Sequence, residues 1–415
     1  MAVLKPFKGF RPPVDKVKDV ASRPYDVLNS AEARVEVEGN PHSFLHVVKP
    51  EVDLDVNIDL HSREVYNKAK ENLNTLIKNG FFVQDEKDML YVYAQTMFGK
   101  TQYGIVGCAS VEDYMSEVIK KHELTRPDKE EDRMNHIRIS NFNAEPVFFA
   151  YPDHEGIDKI VARVIAKDPE YDFVTRDNVG HHFWLIDKDS DIADIVGYFK
   201  NDIPYTYVAD GHHRTAAAAL VGNERKQNNP NHTGEEEYNY FLAVHFPESQ
   251  LSIIDYNRVV TDLNELSPKQ FLSALDKGFT VTEIGKEIFK PDELHTFSMY
   301  MEGTWFSLKA KESTYNDDDP IGCLDVTILS DQVLGPVLDI TDLRKSKRID
   351  FVGGIRGLEE LRKLVDSGEM QVAFAMYPVS MKQLMDIADN DMIMPPKTTW
   401  FEPKLRSGLV IHSLD

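Results

Sequence analysis

The run Asp210-Gly211-His212-His213-Arg214-Thr215 puts a carboxylate, two imidazoles, a guanidinium and a hydroxyl around one glycine. It follows the alternating segment Ile203 to Ala209 and precedes Ala216-Ala217-Ala218-Ala219-Leu220, so the apolar period changes from 2 to 3.6 across a short polar turn. That order predicts a strand, a turn and a helix start, with Gly211 over the helix N-terminus. The first N–H groups of a helix lack intrahelical partners, and the dipole there favours an anion. His213, Arg214 and Thr215 add donors suited to phosphate, so phosphate binding is the chemistry these residues suggest. The plain alternative is an Asp N-cap with exposed first-turn side chains.

Phosphoryl transfer also needs a carboxylate to orient or deprotonate a hydroxyl and a cation to spread charge. Asp210 is placed to bind magnesium or accept a proton. Glu123, in the polar segment His122-Glu123-Leu124-Thr125, is the other candidate base. Its alternative is a helix-end carboxylate in solvent. Arg133 is a candidate for neutralising phosphate, beside Lys129 as an ordinary surface cation. Lys397 lies in the proline-stiffened run Met394-Pro395-Pro396-Lys397-Thr398-Thr399-Trp400-Phe401-Glu402-Pro403-Lys404. That loop is expected either to close over the phosphate site, with Lys397 reaching a terminal phosphate, or to be a rigid tie with both lysines solvated. Asp210 and Glu123 are expected to share a cleft. A transition-metal site built from His122, His136, His181-His182 and His212-His213 is the weaker reading. Neighbours in a strand point to opposite faces, and Arg214 would sit beside the cation.

The elements that must position these groups follow from the pattern along the chain. Asp59 is a plausible cap for a helix carrying Val65, Ala69, Leu73, Leu76 and Ile77, with Gly80 as its stop. Met89 to Thr96 and Tyr103 to Val111 alternate on either side of Gly99-Lys100, which predicts a hairpin. A short helix from Glu112 follows, then a helix opened by Thr125-Arg126-Pro127 that contains Lys129 and Arg133. Pro146 to Ala150 reads as a strand, Asp158 as a helix start and His181 to Ile186 as a strand in which Trp184 is a core aromatic. Ile192, Ile195, Val196 and Phe199 then line one helix face.

Short strands and helices alternate to the end, without repeats or low-complexity segments, which predicts mixed α+β layers. With 415 residues the chain exceeds one small core. A phosphate-binding domain over 1–245, carrying an insertion near 85–180, and a carboxy-terminal α+β domain over 246–415 that completes the site are expected. Lys and Arg total 47 against 69 Asp and Glu, so nucleic acid and anionic membranes are disfavoured as partners. Cys108 and Cys323 lack any paired metal spacing. The N-terminus has no apolar signal core and no run reaches spanning length, so a cytoplasmic location is expected.

The Asp210 to Arg214 turn resembles the phosphate-binding turn of the ParB and sulfiredoxin superfamily. The wider sequence resembles one family in it, domain of unknown function 1015, often labelled Spo0J- or ParB-like. Pro24-Tyr25-Asp26-Val27, Asn40-Pro41, His122-Glu123-x-Thr125, Asp132-Arg133, the turn itself and Met394-Pro395-x-Lys397-Thr398-Thr399-x-Phe401-x-Pro403-Lys404 carry that resemblance in order. It implies a ParB/sulfiredoxin-like core with Gly211, His212, His213, Arg214 and Thr215 around nucleotide phosphates. Sulfiredoxins use a cysteine in this turn, where His212 stands here, which argues against sulfinic acid reduction. ParB proteins carry a basic helix-turn-helix reader that this acidic chain lacks. The free serine kinase branch remains. It implies ATP or ADP with magnesium as cofactor and phosphate transfer to a small hydroxyl substrate such as free serine. A nucleotide- or metabolite-sensing module without turnover is the alternative.

Overall fold

The computed structural model describes residues 1–415. Its contacts divide the chain into two units, Met1–Leu251 with Pro403–Asp415, and Ser252–Glu402. The last thirteen residues therefore belong with the first unit, although sequence order alone sets them at the end of a second domain.

The first unit is built on a nine-stranded sheet. Its strands are β1 (Leu4–Lys5), β2 (Leu90–Met97), β3 (Lys100–Ser110), β4 (Ile119–Lys120), β5 (Val147–Tyr151), β6 (Tyr171–Val174), β7 (Gly180–Ile186), β8 (Thr206–Asp210) and β9 (Tyr240–Pro247). They lie in the order β4-β8-β5-β9-β3-β2-β7-β6, with β1 paired to β3. The β9–β5 and β8–β4 pairs are parallel and the others antiparallel, so the sheet is mixed. The β2–β3 hairpin turns on Phe98 and Gly99 at φ 51° and 77°, two successive left-handed residues whose twist matches that of paired strands.

Helices cover this sheet, and its central strands are buried along most of their length. All of β5 is buried, as expected of a strand sandwiched between layers. The helices are α1 (Arg63–Lys78), α2 (Pro127–Ser140), α3 (Glu155–Ile165), α4 (Asp189–Asp202) and α5 (His212–Asn228). Ile157, Ile160 and Val164 of α3 join Ile192, Ile195 and Phe199 of α4 in one core with Val92, Ala94, Ile105 and Trp184. Ala217, Ala218 and Val221 of α5 pack with Val147, Phe149, Val208 and Phe241 in another. Each fully buried Ile or Phe contributes about 1.5–3 kcal/mol, and the alanine run lets the α5 backbone approach the sheet closely.

Two helix starts differ from the sequence expectation. Ser62, not Asp59, is the N-cap of α1, and Asp59 instead accepts the His61 amide at 3.0 Å in the preceding turn. The third helix begins at Glu155, capped by the His154 ring, which accepts the Ile157 amide. An imidazole cap is outside the Ser/Thr/Asp/Asn set on which sequence reading relies.

The second unit is a six-stranded, wholly antiparallel sheet. Its strands β10 (Tyr256–Val260), β11 (Phe279–Gly285), β12 (Thr296–Met301), β13 (Thr304–Ala310), β14 (Ile349–Gly353) and β15 (Val372–Met376) lie in the order β11-β13-β12-β15-β10-β14. Helix α6 (Leu358–Asp366) lays Leu358, Leu361 and Val365 on Val259, Tyr300 and Trp305. The α+β class is therefore that of a large mixed sheet and a separate antiparallel one. No helix is long and apolar enough to cross a membrane.

Candidate functional site

The strand-turn-helix read from residues 203–225 forms as β8, Gly211 and α5. A register shift against β5 falls between Val208 and Asp210, so the ladder breaks where the functional residues begin. Such a bulge re-aims the next side chain. Gly211 follows at φ 91°, and a Cβ there would also meet the Arg214 guanidinium at 3.2 Å. Only glycine meets both demands without strain.

No side chain caps α5. Asp210, the residue type suited to that role, turns elsewhere. Its Oδ1 accepts from Lys404 Nζ at 2.8 Å and its Oδ2 from Arg214 Nη2 at 3.0 Å. Burial alone would raise this carboxyl, but the Lys404 and Arg214 charges outweigh it and hold Asp210 down at about 2. Arg214 is buried and donates from Nη1 to the Pro146 carbonyl at 2.7 Å. Asp26 Oδ2 lies 3.7 Å from its Nη2, and its Nε has no partner. Burial opposes its charge, yet Asp26, Asp210 and Glu145 together raise the guanidinium above its ordinary value.

The imidazoles divide the helix start between them. His212 is buried, packs edge-on against His122 with ring centroids 4.5 Å apart, and leaves Nε2 without a partner. Burial lowers it to about 4, so it is neutral at pH 7. His213 Nε2 accepts the Arg126 amide at 3.1 Å. These two contacts hold the 122–126 segment, and with it the half-buried Glu123, against the start of α5. Thr215 is fully buried and its hydroxyl donates to the Gly211 carbonyl at 3.0 Å, so its proton is already used by the helix backbone.

Arg133 belongs to a neighbouring ionic set. It donates from Nε and Nη2 to Asp132 Oδ2 at 3.0 and 2.6 Å and stacks on the Tyr25 ring at 4.0 Å. Its Nη1 is 3.9 Å from Glu145 Oε2. The other Glu145 oxygen accepts the Tyr25 amide and the Ser407 hydroxyl, each at 3.0 Å. Burial raises Glu145, with Arg214 and Arg133 pulling against it. A cavity of about 30 Å³ runs beside these groups, lined by Arg133, Glu145, Arg214, His136 and Asn143 among others. That volume is room for one or two waters.

Lys397 belongs to the second unit. Its backbone is left-handed at φ 61°, its carbonyl accepts from Arg258 Nη2 at 3.0 Å and its ammonium lies 5.7 Å from the Tyr256 ring centroid.

A magnesium ion held by the protein alone does not fit. Both Asp210 oxygens are engaged by cations, and no group of three or more His, Cys, Asp or Glu is arranged to hold a metal. Of the histidines read as possible metal ligands, His122 and His212 touch edge-on, and the others stand apart from them. His181 is buried against the Tyr93 hydroxyl, while His182 faces Asp172 at 3.0 Å.

Lys404, Asp26, Glu145 and Tyr25 were not among the site residues expected from sequence. Tyr25, Asp26 and Lys404 do fall within the runs that carry the family resemblance, and that was the available signal. Glu145 gave none.

No curated protein matches the chain in sequence. Among solved structures it is similar to a free serine kinase in complex with AMP, at 13% identity, over 74% of this chain and 92% of that one, with a TM-score of 0.35. A conserved hypothetical protein from Pyrococcus furiosus aligns at 13% identity over 74% of this chain and 95% of that one, TM-score 0.35. SbnI with C-terminal truncation, from Staphylococcus aureus, aligns at 12% identity over 74% and 87%, TM-score 0.33. The family model for the protein of unknown function DUF1015 matches residues 4–327, and the chain belongs to that family.

Proposed function

We propose that the chain binds a nucleotide phosphate at the Asp210 to Thr215 turn and transfers phosphate from ATP or ADP to a small hydroxyl substrate, free serine being the first to try. The observation that carries this reading is the start of α5, where N–H groups with no side-chain cap meet a lysine and an arginine at one carboxylate. We read the β8-Gly211-α5 passage as a ParB/sulfiredoxin-like phosphate turn. In this reading the α5 amides, Arg214 and Lys404 hold phosphate oxygens. His212 and His213 shape the wall, and Glu123 takes the hydroxyl proton. Asp210 is the poorer base, because a carboxylate held at about 2 accepts protons weakly at neutral pH. Arg133 keeps Arg214 in place through Glu145 rather than meeting the ligand.

A second reading, binding without turnover, draws on the same pairing: with both Asp210 oxygens engaged, the turn is better furnished for holding an anion than for moving a proton. The two are separated by a thermal-shift screen of nucleotides with and without magnesium, followed by phosphorus NMR against hydroxyl amino acids. A ligand at a hundred times its dissociation constant adds about 2.7 kcal/mol of stability. Consumption of nucleotide only when a hydroxyl amino acid is present supports the kinase. A melting shift with no product supports the sensor, and no shift with any phosphate ligand removes both.

A further inference from the structure

We propose that the Asp210 carboxylate is a stand-in for the ligand's phosphate, so that binding is an exchange in which a dianionic phosphate takes over Lys404 Nζ and Arg214 Nη2 and releases Asp210. This rests on the reading of the turn as a phosphate site and adds how that site is kept before the ligand arrives.

The cations around the turn are already engaged, three of them facing four carboxylates. Arg133, Arg214 and Lys404 are paired with Asp132, Asp210, Asp26 and Glu145. A phosphate added on top of this set would lie beside carboxylates with no unmatched cation to meet it, and like charges at such range repel. A phosphate that replaces one carboxylate meets the same cations with more charge. Asp210 is the carboxylate placed to leave. It bridges both cations and ends the strand at a bulge, and its side chain is 25% exposed, beside a Lys404 side chain 18% exposed. Asp132, by contrast, is locked by Tyr66, His61 and Arg133.

Two further groups are built for an incoming anion. Arg214 stays anchored through Nη1 on the Pro146 carbonyl whichever anion Nη2 holds, and its buried Nε still lacks a partner. The amides at the start of α5 have no side-chain cap, so a phosphate in the place of Asp210 gains donors that the carboxylate does not use. The exchange selects for charge: a monoanion such as acetate offers nothing over Asp210, whereas a terminal phosphate does.

Isothermal titration of metal-free pyrophosphate and ADP, in EDTA, into the full chain tests this with Asp210→Asn, Asp210→Ser and Lys404→Met. Two Asp210 variants are used so that one with wild-type melting is read. If the paired state is favoured about tenfold over the released one, removing the carboxylate tightens binding by about that factor. Lys404→Met weakens it, and acetate fails to bind the wild type. Binding by Asp210→Asn alone also supports the exchange. Wild-type binding that is unchanged or weakened in both Asp210 variants overturns the stand-in while leaving the phosphate site intact. Absence of binding in wild type and variants alike overturns the site itself.

Discussion

Arg214 and Arg258 are both buried arginines, one in each unit, and their surroundings use the charge in opposite ways. Arg214 has carboxylates on it, from Asp210 at 3.0 Å and Asp26 at 3.7 Å, with Glu145 adding to the field. Arg258 has none. It is 0% exposed and donates from Nη1 to the Tyr256 carbonyl and from Nη2 to the Lys397 carbonyl at 3.0 Å, with its guanidinium over the Phe351 ring. Burial therefore pulls Arg258 down to about 9, whereas the acids around Arg214 overcome the same burial. An arginine among carbonyls can do little but tie a loop to a strand. One among carboxylates holds partners that another anion can replace, which is what a binding site needs.

The largest expected effect breaks this contrast directly. Arg214→Met strands Asp210, Asp26 and Glu145 without their guanidinium, and removing one partner of a buried ionic set costs about 3–5 kcal/mol. Arg258→Met leaves carbonyls unsatisfied but also removes an uncompensated buried charge, so a loss of about 1–2 kcal/mol is expected. Urea denaturation followed by circular dichroism gives both values. Equal losses would mean that the carboxylates around Arg214 are solvated well enough not to need it.

A smaller effect sharpens the ionic side. Asp210 and Asp132 are each held at about 2 in the fold, against an ordinary value near 3.9 when unfolded; burial opposes both shifts, and Lys404 with Arg214, and Arg133 with Tyr66, produce them. Lowered carboxyls contribute stability that is complete above the unfolded pKa and is lost as pH falls through the folded one. The window is therefore about pH 4 to 2, with at most about 2.5 kcal/mol from each group. Asp113 works the other way, since burial raises it to about 6 and stability is gained as pH falls below that. Melting temperatures from pH 5 to 2.5 should fall less steeply in Lys404→Met than in the wild type. Parallel slopes would detach Lys404 from Asp210.

The parts of this site that sequence disclosed are those joined by short spans. The change of period across Asp210-Gly211 located β8 and α5, because alternation and an alanine run are local signals. Gly99 likewise announced the β2–β3 hairpin. What stayed hidden spans long separations: Lys404 meets Asp210 from 194 residues away, and Ser407 meets Glu145 from 262. Composition and periodicity carry no information about such pairs, and a lysine in a proline-stiffened loop reads equally as solvated or as facing an anion. Asp59 misled for a related reason, since two acceptors, Asp59 and Ser62, stood near one helix start and backbone geometry chose between them.

The smallest effect concerns Lys397, a side-chain-bearing residue in the left-handed region that Gly211 occupies in the first unit. Gly211 and Lys397 both have positive φ, 91° and 61°. A side chain in the left-handed region costs about 1–2 kcal/mol, and glycine avoids that but loses about 0.5–1 kcal/mol more chain entropy on folding. The Lys397 ammonium, 5.7 Å from the Tyr256 ring centroid, adds no more than about 0.5 kcal/mol at an exposed position. Lys397→Gly therefore exchanges strain for entropy and should leave stability within about 0.5 kcal/mol of the wild type. Lys397→Ala keeps the strain while losing the ring contact, so it should be the less stable of the two. The order glycine above alanine, measured by urea denaturation, says that the backbone, tied by Arg258 to the Lys397 carbonyl, is what the loop needs here. The reverse order would show that the φ is no burden, and that Arg258 holds the loop in a conformation it already prefers.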